Sequence, residues 1–261
     1  MARALRDFRY IAWIFAAVFF IAAIIPVGNL GGTGNFDKVL HFIGFYFLII
    51  FFLHGYQNRS WITMLIISLG IGFLVEVVQA GIPYRTFSLY DFLADAVGAV
   101  CGYISYKLIG DVNIELIGTF GFIGKIPIGP GTIASFIFIL LVHHFKFTNE
   151  FVTLFIVTAS IVGVWVSSYL EEKWGEDPSE VVIDEVVGVG FAILFHKFTF
   201  PVLLSGFLFF RFFDIVKPWP IKYFEKLPSG IGVMSDDIVA GIMANILLTF
   251  LSSGLINISG I

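Results

Sequence analysis

The chain has 261 residues, 58% of them hydrophobic and 13% charged, with a formal net charge of −4. Soluble domains carry about 25% charged residues, so the composition excludes an ordinary soluble domain and indicates an integral membrane protein. It gives no support for nucleic-acid binding, and a single cysteine, Cys101, excludes an intramolecular disulfide.

Arg3, Arg6 and Arg9 precede the apolar run Tyr10–Val27. That run exceeds the ~7–15 residues of a signal-peptide core and no clear A-x-A site follows it, so it reads as a retained first span. A crossing needs ~20 apolar residues. The first half offers runs at about 10–27, 39–55, 61–80 and 91–109, and the second half offers shorter or more broken ones at about 132–145, 151–170, 181–195, 200–214 and 237–254. The expected fold class is all-α: a polytopic membrane protein of about nine hydrophobic helices in two helical domains, 1–110 and 111–261. The polar run Gly110–Glu115 reads as the linker between them.

With the N-terminus in the cytoplasm and strict alternation, Arg3, Arg6, Arg9, Arg59, Lys107, Lys125, Lys173, Arg211, Lys217, Lys222 and Lys226 fall inside. Only Lys38, Arg85, Lys146 and Lys197 fall outside. This bias follows the positive-inside rule and agrees with a multi-pass protein of the bacterial inner membrane.

In the first half, Asp37, Lys38 and His41 open the second span. Glu76 and Gln79, three apart and so on one helical face, end the third. Arg85 lies in the loop, and Ser88, Asp91 and Asp95 open the fourth. Gly98 and Gly102 have the G-x-x-x-G spacing that lets helices pack closely. The topology gathers the polar set at the outer face, as an ion-pair network, a site for a small envelope ligand or a proton relay. The pattern D-K-x-x-H-F (Asp37–Phe42), E-x-x-Q (Glu76, Gln79) and R-x-x-S-x-x-D (Arg85, Ser88, Asp91) resembles the VanZ-like family over about residues 1–109, departing from it at Asp95, where relatives often have Asn. That family is linked to glycopeptide resistance, so the resemblance implies an envelope function and no particular reaction.

The second half is organised around Phe207–Asp237. An apolar segment ends in Arg211, Asp214 and Lys217, Pro218 and Pro220 stop it, and Ser229-Gly230-Ile231-Gly232 reads as a loop before a helix capped by Ser235, with Asp236 and Asp237 in its first turn. Two further pieces are the turn Gly124–Thr132, which contains Lys125, and Asp177–Glu185, which ends in Asp184 and Glu185. Asp177 reads as a loop-capping candidate, and Glu171, Glu172 and Glu176 as a solvated face. Carboxylates suit Mg²⁺, and no Cys pair or spaced His set invites zinc. Arg211, Lys125 and Lys217 are cations for a phosphate, and helix starts after Gly131 and Gly232 would add backbone N–H groups. Spacing alone leaves three readings open: a metal–phosphate site, interfacial charges, or a cation pathway.

These blocks closely resemble the phosphatidylglycerophosphatase A family over about residues 118–255. They are G-x-x-P-x-x-P-G-T (Gly124–Thr132), I-D-E-x-x-G (Ile183–Gly188), F-R-x-F-D-I-x-K-P-W-P-I (Phe210–Ile221) and G-x-G-x-M-x-D-D-x-x-A-G (Gly230–Gly241). The resemblance implies Mg²⁺-dependent hydrolysis of phosphatidylglycerophosphate, a phospholipid held in the bilayer, at the cytoplasmic face. Asp184, Glu185, Asp214, Asp236 and Asp237 would be metal ligands or general acid–base groups. Lys125, Arg211, Lys217 and Thr132 would bind the phosphate, and Pro218, Trp219 and Pro220 would shape the loop near the lipid. The alternative is an envelope ligand-binding or transport protein that works through the first half, with the second half auxiliary.

Overall fold

A computed structural model of the chain describes residues 2–24, 36–83 and 87–258, with side chains for 8–24, 38–83 and 87–252. It is 79% helical, with no strand among the described residues. Contacts divide the chain into two compact units, Met1–Asn113 and Ile114–Ile261.

In the first unit, α1 (Ala2–Ile24), α2 (Phe36–Gly55), α3 (Trp61–Ala80) and α4 (Leu89–Ile109) follow the apolar runs of the sequence. The Ser60 and Ser88 hydroxyls accept the amides of Ile62 and Asp91, at 3.3 and 3.2 Å. These bonds satisfy donors that a helix start leaves orphaned. The other three helices pack on α2, whose Leu48, Ile49, Ile50, Phe51 and Phe52 are 1% exposed or less. A helix apolar all round is expected to be buried all round. Gly98 and Gly102 of α4 lie against α2, where a Cβ would clash with the carbonyl oxygens of Phe42 and Tyr46.

The stretch expected to be a linker is helical: α5 spans Val112–Gly118. Its polar side chains are engaged rather than solvated. Asn113 Oδ1 accepts from Ser105 Oγ at 2.7 Å and Tyr46 Oη at 3.0 Å. Glu115 accepts from Lys125 at 2.7 Å and Lys173 at 3.0 Å. Burial opposes the charge on Glu115, but the two lysines outweigh it and hold the carboxyl below the ordinary glutamate range.

The second unit adds a 3₁₀ turn (Ile123–Lys125) and then α6 (Pro130–His144), α7 (Asn149–Trp174), α8 (Ile183–Ile193), α9 (Phe200–Val216), α10 (Ile221–Phe224) and α11 (Gly230–Ile258). α8 is the core, packed by α6, α7, α9 and α11, with Val186, Val187, Val189, Ala192 and Ile193 at 0% exposure. Eleven residues make it only about 16 Å long, too short to cross a bilayer. Among the described residues, α2, α3, α4, α7 and α11 are long and apolar enough to cross. The expected nine is thus an approximate count of hydrophobic segments, because those near 181–195 and 200–214 form the shorter α8 and α9.

The start of α11 corrects a second expectation. The helix begins at Gly230, so Ser235 lies inside it and is not its cap. A Cβ on Gly230 would clash with Val164 O of α7 and one on Gly232 with Leu227 O. The Gly230 amide donates to Ser168 Oγ at 3.1 Å. These glycines serve close backbone approach rather than a loop.

Candidate active site

Gly188 of α8 and Gly241 of α11 set the centre of the second unit. A Cβ on Gly241 would clash with Gly188 O, and one on Gly188 would lie 2.8 Å from Asp237 O. Residues without a side chain let two helices approach this closely. The crossing brings Asp184 and Glu185, in the first turn of α8, against Asp237 of α11, with one ligand atom from each within 4.8 Å of the others. Gly131, in the first turn of α6, closes another side, where a Cβ would clash with Glu185 Oε1.

α9 supplies the cations. Arg211 Nη1 lies 2.7 Å from Asp214 Oδ2, in a contact too bent for a good hydrogen bond. Lys217 ends α9 in a left-handed conformation, φ +44°, and its Nζ donates to Asp236 Oδ2 at 2.7 Å and to Glu225 Oε1 at 2.8 Å. Burial disfavours the ammonium, but these two carboxylates outweigh it and push the Lys217 pKa above the ordinary lysine value. Lys217 is therefore a fixed positive charge at any physiological pH.

Asp184, Glu185, Asp214, Lys217, Asp236 and Asp237 line one cavity of about 550 Å³. Arg211 reaches this set through Asp214. Lys125 and Thr132 do not line the cavity. Lys125 bridges Glu115 and lies 5.2 Å over the Phe122 ring, while Thr132 is exposed on the first turn of α6. The cavity wall also includes Glu171, Glu176 and Asp177. Glu171 and Glu176 were expected on a solvated face. Glu176 is exposed, the half-buried Glu171 accepts the Asp177 amide at 3.3 Å, and Asp177 itself has φ +48°. The one available signal was their place just before the Asp184–Glu185 block.

Unpartnered atoms show what the cavity lacks. Asp184 Oδ1 and Glu185 Oε2 are buried without a hydrogen-bond partner among the described residues, as are Nε and Nη1 of Arg211 beside the cavity, where Nη1 keeps its ion pair with Asp214. Buried polar groups are normally paired. Two orphaned acceptors call for a cation. An all-oxygen donor set fits a hard divalent ion such as Mg²⁺.

The first unit assembles a different set. His41 and Glu76 meet Asp95, with ligand atoms within 4.8 Å of one another. Gln79 Nε2 instead donates to Ala23 O at 3.0 Å, and Asp91 Oδ1 lies 3.6 Å from Lys38 Nζ. Arg85 and the side chain of Asp37 fall outside the described residues.

Two family profiles match the chain: phosphatidylglycerophosphatase A over residues 116–252 and VanZ/LLP1 over residues 3–110. A Bacteroides thetaiotaomicron protein provisionally named a phosphatidylinositol-3-phosphatase is 39% identical over 142 residues, 51% of this chain and 89% of that protein. The Escherichia coli phosphatidylglycerophosphatase A is 30% identical over 132 residues, 49% of this chain and 77% of the relative. The Haemophilus influenzae phosphatidylglycerophosphatase A is 47% identical over 75 residues, 28% of this chain and 45% of the relative. No solved structure matches the chain.

Proposed function

The chain belongs to the phosphatidylglycerophosphatase A family and is a multi-pass membrane lipid phosphatase; from that premise we propose that it hydrolyses phosphatidylglycerophosphate to phosphatidylglycerol and phosphate, with Mg²⁺, at the cytoplasmic face of the bacterial inner membrane. The observation that carries this reading is the meeting of acids from α8, α9 and α11 with Lys217 in one cavity.

In this reading Asp184, Glu185 and Asp237 would hold the ion, because their ligand atoms are mutually close and two of their oxygens lack partners. When bound, the ion supplies positive charge that offsets the negative charge of the phosphoryl group. Lys217, steadied by Asp236 and Glu225, grips the phosphate oxygens and keeps the monoester in register. Arg211 adds positive charge beside the phosphate and orients Asp214 through their ion pair; charge-assisted contacts of this kind are the strong ones. The Asp214 carboxylate takes a proton from the attacking water as its oxygen adds to phosphorus. The P–O bond to the glycerol carbon's oxygen breaks, and that oxygen leaves as a hydroxyl after receiving a proton from the cavity's acids. Trp219, 86% exposed two residues beyond Lys217, suits an anchor at the membrane interface, where Trp is enriched. The Lys/Arg bias of the sequence supports the cytoplasmic side.

Purified full-length protein in detergent tests the reading. Phosphate release from phosphatidylglycerophosphate is expected with Mg²⁺, and its absence would overturn the assignment. A second head group is favoured by the 39% identity to the Bacteroides relative. Phosphatidylinositol 3-phosphate supplied in competition decides between the two, since the better substrate has the higher kcat/KM.

A further inference from the structure

Three helices of the first unit each contribute one sealed ligating group: His41 from α2, Glu76 from α3 and Asp95 from α4. His41 is 3% exposed and both acids are 0% exposed. His41 Nδ1 lies 2.8 Å from Asp95 Oδ1, and Glu76 Oε2 accepts the Ser88 amide at 2.8 Å. Each carboxylate has a second oxygen, Asp95 Oδ2 and Glu76 Oε1, that is buried with no hydrogen-bond partner among the described residues. Gly72 of α3 leaves room beside one of them, since a Cβ there would lie 2.7 Å from Asp95 Oδ2.

Lys38 stands beside Asp91. Among the described residues, the two buried carboxylates of Glu76 and Asp95 face one imidazole. Ionisable groups inside a bilayer are costly and normally pair or serve a site. Hydrogen bonds already orient one oxygen of each acid and leave the other available, the arrangement that supporting contacts give to metal ligands. One imidazole with two carboxylates and no thiolate favours a borderline ion such as Zn²⁺ over Mg²⁺ or Ca²⁺.

We propose that His41, Glu76 and Asp95 bind a divalent transition-metal ion of the zinc class, tying α2, α3 and α4 together within the first unit. Three protein ligands leave a coordination position open to water or a small ligand.

Zinc content of the full-length protein tests this. Zinc held by the second unit is first suppressed with Asp184→Asn/Asp237→Asn, and the protein is stripped with chelator, reloaded with Zn²⁺ and desalted. About one zinc per chain is expected to remain, falling about tenfold or more when His41→Ala or Glu76→Gln is added. No retained zinc, or retention unaffected by both substitutions, overturns the site and leaves a proton shared between the acids as the explanation. Should those variants not fold, X-ray absorption at the zinc edge of the reloaded wild-type chain decides. Imidazole scattering with oxygen donors and no sulfur is expected, and a shell of oxygen alone refutes the proposal.

Discussion

Each unit gathers three side chains that could hold a metal ion, within 4.8 Å of one another, but the two sets have different surroundings. In the second unit Asp184, Glu185 and Asp237 line a cavity of about 550 Å³ together with Lys217. In the first, His41, Glu76 and Asp95 are 3% exposed or less. Nearly the same inventory of acids therefore stands in two kinds of surroundings, suited to different chemistry. A cluster open to a cavity, with cations beside it, can admit a phosphate monoester and stabilise the charge that develops on it. A sealed cluster with one imidazole can hold an ion and position helices, and it offers little room for a lipid head group.

The sharpest way to break this comparison is to disarm the open cluster. Asp237→Asn is expected to reduce lipid phosphatase kcat by about 10³-fold or more, and chelation of the wild type to do the same until Mg²⁺ is restored. Steady-state phosphate release measures both. Activity that survives Asp237→Asn would mean that hydrolysis occurs elsewhere in the chain. Lys217→Met sharpens the comparison by removing a cation that lines the open cluster's cavity. A loss of roughly 30–100-fold in kcat/KM is expected, carried largely by KM if Lys217 grips the phosphate in the ground state.

Smaller effects concern the packing that builds the open cluster. Gly241→Val drives a side chain into Gly188 O at the α8–α11 crossing. A stability loss of about 2–4 kcal/mol is expected, seen as a lower Tm in detergent, and an unchanged Tm would show that the crossing is not tight. The mildest change is Glu115→Gln, which removes the carboxylate shared by Lys125 and Lys173. The folded-state pKa of Glu115 is depressed, so its stabilisation is present above the unfolded glutamate value and is lost as pH falls through the folded one. The wild type is expected to exceed the variant by about 1–2 kcal/mol at pH 7, with the two converging in strong acid. A gap that widens in acid would contradict that sign.

Much of the fold was legible because apolar runs of bilayer length leave few alternatives to helix. Ser88 was readable as a helix start, and Gly98 with Gly102 as a tight contact. The acids of the open cluster were readable as a group because apolar surroundings make each ionisable residue conspicuous. Less was legible where polarity had two causes. Gly110–Glu115 resembles a linker, yet Asn113 and Glu115 are polar because they are paired inside the fold. Glycines at 230 and 232 resemble a loop, yet they are small because other backbone lies against them. Lys125 sits in a phosphate-like turn, but its charge is engaged by Glu115, a partner that spacing does not reveal.

By itself the sequence determined that the chain is a helical membrane protein and which ionisable residues it carries into the apolar phase, since both follow from composition and short-range pattern. Only the tertiary structure decided which of those residues meet. Asp184 and Asp237 become neighbours through the Gly188–Gly241 crossing, and His41 joins Glu76 and Asp95 because three helices converge. Convergence of distant segments depends on how helix surfaces pack, and linear spacing contains no record of that.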